Sequence, residues 1–237
     1  MAAAAYAKDL LRIIALNKIE AERKLSKVLK DVSQQIKDMH SLANNVNTGV
    51  KALQEDSHTI RYSAWKIDRG SFLWLYGIPG CSKTILSSTV IENLKQSEPS
   101  STSLLYHYFD FADGEKQNLG KAVRSLLGQI YNKKPDVREY LDSLYASCDN
   151  GNRQPSDDAL RKAVQSMIQH TGEVWIVLDA LDECQIREEF SDIGLLSWIK
   201  DLHKCPGSTH LLVTSHPEQD INQAIKTWAS SDYITQL

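Results

Sequence analysis

The sequence contains few of the residues that build metal centres or disulfide frameworks. Its only four cysteines are Cys81, Cys148, Cys184 and Cys205, and none forms a C-x-x-C pair or stands near a histidine at ligand spacing. Structural zinc sites and small disulfide-rich folds depend on such clusters. The pattern argues against both classes and indicates reduced thiols in a cytoplasmic protein.

Long apolar runs and a one-sided charge are also absent. The best apolar stretch near the N-terminus, Leu10 to Leu16, is interrupted by Arg12 and precedes no convincing cleavage site. No stretch approaches the length of a membrane span. The net charge of −3 and the pI near 6.2 give no general attraction to nucleic acid or to an anionic membrane. We therefore expect a cytoplasmic protein without a membrane span or a nucleic-acid partner.

The first part of the 237-residue chain, residues 1–60, is predicted to be a helical extension. From Leu25 to Leu53 apolar residues recur in steps of four and three, as in a heptad repeat. An amphipathic helix docked on its own domain explains this stripe somewhat better than a coiled coil with a second copy or a partner helix. The polar stretch Asn44 to Gly49 weakens helix propensity, so two helices with a break are an equal alternative to one.

The second part, residues 61–237, alternates predicted strands and helices. The predicted strands are 71–76, 104–109, 174–178, 210–215 and 233–237, and the predicted helices are 83–96, 118–131, 136–147 and 156–170. The first strand is apolar on both faces, as expected for a strand covered by helices on each side. The sequence therefore predicts an α/β fold: a parallel five-stranded sheet in three layers, with ligands beyond the carboxyl ends of the strands.

A glycine-containing loop follows the first predicted strand and leads directly into a helix. It consists of Gly77, Ile78, Pro79, Gly80, Cys81, Ser82, Lys83 and Thr84. A strand, a tight loop and a helix N-terminus in this order direct backbone N–H groups at the phosphates of a nucleotide. Lys83 is predicted to reach the β- and γ-phosphates, and Thr84 to ligate Mg²⁺. The sequence thus predicts a P-loop nucleotide-binding site.

Ser82 departs from the P-loop pattern G-x-x-x-x-G-K-[ST], because it stands where the second glycine is expected. Glycine serves where the backbone adopts a positive φ or lies close to a ligand. If Ser82 has to be left-handed, the strain amounts to about 1–2 kcal/mol. We expect nucleotide affinity to be reduced or lost.

An acidic group follows the strand 174–178. Asp179 comes directly after this strand and is predicted to hold Mg²⁺ opposite Thr84. Asp182 and Glu183, one turn later, are predicted to orient or deprotonate an attacking water. These carboxylates are the candidate catalytic groups.

The strand 210–215 ends in two hydroxyl side chains. Thr214 and Ser215 are predicted to sense the γ-phosphate, since this strand is expected beside the acidic one. His216 follows and precedes a proline. It is expected to be a lone exposed histidine.

Four segments resemble the NACHT module of fungal NLR-like proteins, close to the N-terminal domain of nephrocystin-3-like proteins. They read FLWLYGIPGCSKTIL, KAVRSLLGQIY, VWIVLDALDEC and LLVTSHPEQDI, within residues 71–237. These proteins are signal-transduction P-loop ATPases. The resemblance implies a switch that exchanges ADP for ATP, opens, oligomerises and is reset by slow hydrolysis. In these proteins an arginine usually stands at the position that matches His216. The family's helical lid, winged-helix module and C-terminal repeats are expected to be absent.

Three functions remain open at this point. The first is a signalling switch that binds a nucleoside triphosphate, expected to be ATP, with Mg²⁺ and has weak or vestigial hydrolase activity, impaired by Ser82 and His216. The second is a non-catalytic interaction scaffold with a degenerate P-loop and a coiled-coil-like helix. A small-molecule kinase is disfavoured because no arginine-bearing lid is evident. The motif does not distinguish ATP from GTP.

Overall fold

Five parallel strands form the central sheet. The computed structural model describes residues 57–97, 103–185, 187, 194–205 and 208–237, which fall within one compact unit, Leu53–Leu237. The strands are β1 (Phe72–Tyr76), β2 (Ser103–Tyr108), β3 (Glu173–Asp179), β4 (Ser208–Ser215) and β5 (Ile234–Gln236). Their order in the sheet is β2-β3-β4-β1-β5, and each neighbouring pair is parallel. The predicted heptads lie outside the described residues.

Helices connect these strands. They are α1 (Ser57–Ile67), α2 (Lys83–Ser97), α3 (Leu119–Lys133), α4 (Arg138–Ser147), α5 (Asp157–Thr171), α6 (Leu195–His203) and α7 (Gln219–Lys226), with short 3₁₀ turns at Pro135–Val137, Leu181–Glu183 and Ser231–Tyr233. Every strand and each of the four helices predicted within residues 61–237 is present, with bounds that agree to within two residues. The helical stripe predicted at residues 25–53 lies outside the described residues. The sequence did not lead us to predict α1, α6 and α7 as separate helices, and the last two are only nine and eight residues long.

Polar side chains fix where two of the long helices begin. The Asn118 side chain accepts a hydrogen bond from the N–H of Lys121 at 3.0 Å, and Ser156 accepts one from Ala159 at 3.2 Å. Each satisfies an N–H group that has no partner inside the helix. These caps explain why α3 and α5 start directly after Asn118 and Ser156.

Both faces of the sheet are covered by helices. On one face, buried residues of the strands such as Phe72, Trp74 and Ile176 pack in one cluster with α3, α5, α6 and α7. On the other face, residues such as Leu73, Trp175 and Val177 pack with α1 and α2. The alternation of side chains along each strand thus feeds two cores. The predicted three-layer α/β fold is confirmed.

A buried polar network ties α1 to the amino ends of two strands. The imidazole of His210 is fully buried, stacks on Trp175 at 4.5 Å, and contacts the carbonyl oxygen of Trp65 through Nδ1 at 2.8 Å. Its Nε2 lies 3.0 Å from a carboxylate oxygen of Glu173. Trp65 itself is 1 % exposed and packs against the sheet. This network lies at the end of the sheet opposite to the phosphate loop.

The free edge of β2 is covered by a side chain of α3. The amide of Gln129 accepts from the N–H of Tyr106 at 3.0 Å and donates to its carbonyl at 2.7 Å. The ammonium of Lys133 donates to the carbonyl of Leu104. Gln129 therefore makes the two hydrogen bonds that a further strand would make, and it blocks pairing at this edge.

Candidate functional site

The loop between β1 and α2 turns tightly at its first glycine. A Cβ atom on Gly77 would lie 2.6 Å from the sulfur of Cys81 and 3.2 Å from the carbonyl oxygen of Leu237. A side chain there would have to displace Cys81. The N–H of Gly77 donates to the carbonyl of Ser215 at 3.3 Å, which places the loop beside the end of β4. Gly80, at φ +84°, provides the second tight turn.

Ser82 adopts the left-handed conformation that the P-loop pattern normally assigns to glycine. Its φ is 64°, and its carbonyl accepts the N–H of Leu86 at 2.9 Å as α2 begins. A side chain in this conformation costs about 1–2 kcal/mol. The Ser82 side chain is exposed, so the added Cβ and hydroxyl lie at the mouth of the loop.

Lys83 points back into the loop. Its side chain is 9 % exposed, and its ammonium donates to the carbonyls of Gly77 at 2.7 Å and Ile78 at 3.1 Å. Within the described residues it forms no ion pair with a carboxylate. The N–H groups of Gly80, Ser82 and Thr84 likewise donate to no backbone acceptor there. The loop therefore combines a nearly buried cation with free N–H donors, which suits an anionic group.

Asp179 lies at the carboxyl end of β3 and is 2 % exposed. Three hydroxyl groups donate to its carboxylate: Thr84 at 2.8 Å, Ser87 at 2.7 Å and Thr214 at 2.7 Å. Hydrogen bonds to the charged form are what stabilise a buried carboxylate. The structure thus brings Thr84 and Asp179 together as the sequence led us to expect.

Ser87 was not predicted to belong to the site. It lies three residues after Thr84 on the same face of α2, and this spacing is the one feature of the sequence that could have identified it. That spacing lets both hydroxyls reach the Asp179 carboxylate.

The two predicted sensor residues are fully buried. Besides donating to Asp179, the hydroxyl of Thr214 accepts the N–H of Ala180 at 2.9 Å. Ser215 accepts the indole N–H of Trp74 at 2.9 Å. Ala180 is left-handed, with φ 58° and ψ 53°, so Thr214 holds a strained turn at the end of β3. Both hydroxyls therefore form hydrogen bonds with groups of neighbouring strands or of the turn after β3.

Asp182 and His216 form a close pair. The carboxylate of Asp182 accepts the backbone N–H of His216 at 2.7 Å and lies 2.6 Å from its Nδ1. The Asp182 side chain is 8 % exposed and that of His216 is 30 % exposed. The prediction that His216 is a lone exposed histidine is therefore wrong. The turn after β3 brings a carboxylate to it from 34 residues away, which spacing along the chain does not reveal.

Glu183 and Arg187 complete the acidic turn. The Glu183 carboxylate accepts the N–H of Phe111 at 3.3 Å. The Arg187 guanidinium donates to the carbonyl of Asp182 at 2.7 Å and to the carboxylate of Asp220 at 2.6 Å. Arg187 was not predicted to belong to the site, because it lies beyond the acidic motif. It joins this turn to the first turn of α7.

The oxygen atoms of Thr84 and Asp179 fit a magnesium ion in kind and position. Their hydroxyl and carboxylate oxygens are 2.8 Å apart beside the phosphate loop, and Mg²⁺ prefers one or two protein oxygens together with phosphate and water. Among the described residues no group of three or more His, Cys, Asp or Glu side chains could hold a metal ion. A metal at this site would therefore depend on ligands from a bound nucleotide.

None of the helices in the described part of the chain is long and apolar enough to cross a membrane. None of the four cysteines, which all lie in the described part of the chain, forms a disulfide bond.

Proteins similar to this chain include one curated relative and two solved structures. The chain is 26 % identical over 186 residues to the vegetative incompatibility protein HET-E-1 of Podospora anserina, which covers 71 % of this chain and 12 % of that protein. The ORC2 protein of Aeropyrum pernix, solved as ADPNP–ADP complexes, has a TM-score of 0.45 at 11 % identity, covering 76 % of this chain and 45 % of its own. The cytoplasmic domain of the type VII secretion ATPase EccC of Thermomonospora curvata has a TM-score of 0.34 at 19 % identity. That match covers 67 % of this chain and 18 % of the EccC chain. These TM-scores are too low to support an argument.

A family model decides the relationship. The model described as "Nephrocystin 3, N-terminal" matches residues 47–216. That range includes the phosphate loop, the acidic turn and β4. It spans well over half of the sequence and confirms the resemblance that the four segments carry. The chain therefore belongs to the nephrocystin 3 N-terminal family.

Proposed function

We propose that this chain is a nucleotide-binding domain that takes ATP or ADP with Mg²⁺ and serves as a signalling switch with slow hydrolysis. One observation carries the proposal: the hydroxyl of Thr84, at the start of α2, lies 2.8 Å from the buried carboxylate of Asp179, 95 residues away. A hydroxyl and a carboxylate meeting beside a phosphate loop form the protein half of a magnesium–nucleotide site.

The phosphate side of the site supports the same proposal. The ammonium of Lys83 is held by neutral carbonyl groups of the loop. Charge-assisted hydrogen bonds to phosphate oxygens are about twice as strong as bonds between neutral groups. A bound triphosphate would therefore attract Lys83 away from the Gly77 and Ile78 carbonyls and occupy the free N–H groups of the loop.

For hydrolysis we propose that the carboxylates of Asp182 and Glu183 help to orient or deprotonate the attacking water. Both lie in the 3₁₀ turn that directly follows β3, next to Asp179. Thr214 and Ser215 are proposed to keep this end of the sheet in place below the γ-phosphate, as their buried hydrogen bonds suggest.

The switch role is proposed from the family and from the fungal relative, of whose length this chain spans about an eighth. The name of that relative describes an incompatibility protein. We propose that nucleotide binding controls signalling by this chain, in the cytosol, where reduced thiols are stable.

The non-catalytic scaffold has one observation in its favour, which is the strained backbone of Ser82. A loop in which a serine blocks the phosphates would retain the fold without the ligand. Binding by a Ser82→Gly variant but not by the natural chain would favour this alternative.

Magnesium dependence tests the main proposal. Thr84→Val removes the hydroxyl that faces Asp179, so affinity for Mg-ATP should fall about tenfold or more, while affinity for ATP in EDTA should change little. Thr89→Val is the matched control, because within the described part of the chain the Thr89 hydroxyl bonds only the carbonyl of Ile85 on the same helix. Equal effects of the two substitutions, measured with a fluorescent ATP analogue, would contradict a metal role for Thr84.

A further inference from the structure

The pair formed by Asp182 and His216 has a defined proton arrangement. A carboxylate only accepts hydrogen bonds, so the 2.6 Å contact to Asp182 requires that Nδ1 of His216 carries a hydrogen. The second carboxylate oxygen is held by the backbone N–H of His216. In the neutral ring the lone pair is then on Nε2. Asp182 therefore fixes both the tautomer and the orientation of the imidazole.

Nε2 of His216 is free to act on another molecule. Within the described residues the ring has no hydrogen bond or ion pair other than the one to Asp182, and 30 % of the side chain is exposed. The carbonyl of Asp182 is held in turn by Arg187 at 2.7 Å. The ring is thus anchored on one side and open on the other.

The position of His216 places this open nitrogen at the phosphate end of the sheet. His216 directly follows Ser215, whose carbonyl accepts the N–H of Gly77, the first residue of the phosphate loop. Its partner Asp182 lies three residues after Asp179. Because β4 lies between β1 and β3, the residue that follows β4 stands between the phosphate loop and the acidic turn.

We propose that His216 is the general base for the nucleotide hydrolysis proposed above, and that Asp182 acts through it as a positioning residue. Nε2 takes a proton from water as the water oxygen bonds to the γ-phosphorus and the bond to the β,γ-bridging oxygen breaks, with its electrons leaving on ADP. The imidazolium is stabilised by the Asp182 carboxylate and releases its proton to solvent. A carboxylate that orients a histidine in this way is an established arrangement for a histidine base.

Glu183 is the competing base. Among the residues that the structure describes, its carboxylate has one weak partner, the N–H of Phe111 at 3.3 Å. The two assignments differ in which substitution removes turnover, so the same assay separates them.

The test combines binding and turnover in the full chain. His216→Asn retains a donor for Asp182 but lacks the base, and His216→Ala creates space for an added imidazole. Both should bind Mg-ATP within about threefold of the natural chain, and both should lose about 10²-fold or more in kcat for phosphate release. Added imidazole should restore part of the turnover of His216→Ala but none of that of Lys83→Ala. Asp182→Asn should lower kcat while leaving binding in place.

Three outcomes would overturn the inference. The first is unchanged kcat in His216→Asn together with lost turnover in Glu183→Gln, which would make Glu183 the base. The second is a loss in His216→Ala that imidazole does not restore, which would make His216 a structural residue. The third is a natural chain that binds Mg-ATP without hydrolysing it, which leaves the proposed nucleotide binding intact. A natural chain that does not bind Mg-ATP at all would overturn this inference together with the proposed function.

Discussion

At the scale of single residues, Ser82 shows how far a motif can be interpreted without coordinates. The departure from glycine is visible in the sequence, and the left-handed backbone that it predicts is present, at φ 64°. The pairing of His216 with Asp182 was not predictable, because it depends on where two loops meet in space. A motif fixes local conformation, whereas side-chain partners depend on the tertiary fold.

Replacing Ser82 by glycine should stabilise the protein. Glycine removes a left-handed cost of about 1–2 kcal/mol and adds some entropy to the unfolded chain, so the free energy of unfolding should rise by about 0.5–1 kcal/mol. Affinity for Mg-ATP should rise as well, since the Cβ and hydroxyl leave the mouth of the loop. Urea unfolding measures the first effect.

Ser88→Gly is the matched control, since Ser88 lies inside the same helix α2. It should lower stability by about 0.5–1 kcal/mol, because glycine is unfavourable within a helix. A loss of stability of similar size in Ser82→Gly would show that the backbone at residue 82 is not strained.

At the scale of elements, the alternation of apolar strands and amphipathic helices was enough to predict the five strands and four of the helices. The side chains of Asn118 and Ser156 cap two of these helices and explain where they begin. Three helices were not predicted as such: α1, and the short helices α6 and α7, whose nine and eight residues give little periodicity to detect. The cover over the edge of β2 was not predictable either, because Gln129 is 23 residues from its partner.

Gln129→Ala should expose the edge of β2. Two hydrogen bonds to Tyr106 are lost, so stability should fall by about 1–2 kcal/mol, and the free edge should favour association between copies. Sedimentation velocity over a range of protein concentrations detects the second effect. Gln223→Ala, at an exposed position of α7, should change neither quantity, and a variant at residue 129 that behaves like this control would argue against a protective role for Gln129.

At the scale of the whole molecule, the parallel three-layer architecture was predictable, but the strand order was not, since β1 pairs with β4 and β5 across more than a hundred residues.

Two histidines lie on one side of the sheet, where His107 is buried and His203 is half-buried. Burial lowers the pKa of His107 and of His203 from the usual 6.5. One ring nitrogen of each has no hydrogen-bond partner within the described residues.

These histidines should make the fold less stable in mild acid. The unfolded chain takes up protons on them as the pH falls below 6.5, whereas the folded protein does not until the lower folded pKa is reached. The free energy of unfolding should therefore decrease between about pH 7 and pH 5.5. The double variant His107→Phe, His203→Phe should show a flatter dependence in urea titrations over this range. An equally steep dependence would show that other groups cause the effect.

Nucleotide binding at the phosphate loop is measured most directly by isothermal titration with Mg-ATP and Mg-ADP. The Lys83 ammonium lies in the loop, whereas Lys95 lies at the exposed end of the same helix and pairs with Glu92. We expect the natural chain and Lys95→Ala to bind with equal affinity, and Lys83→Ala to lose at least tenfold. No binding by the natural chain at about 1 mM nucleotide, or equal binding by Lys83→Ala, would contradict the assignment of this loop as a nucleotide site.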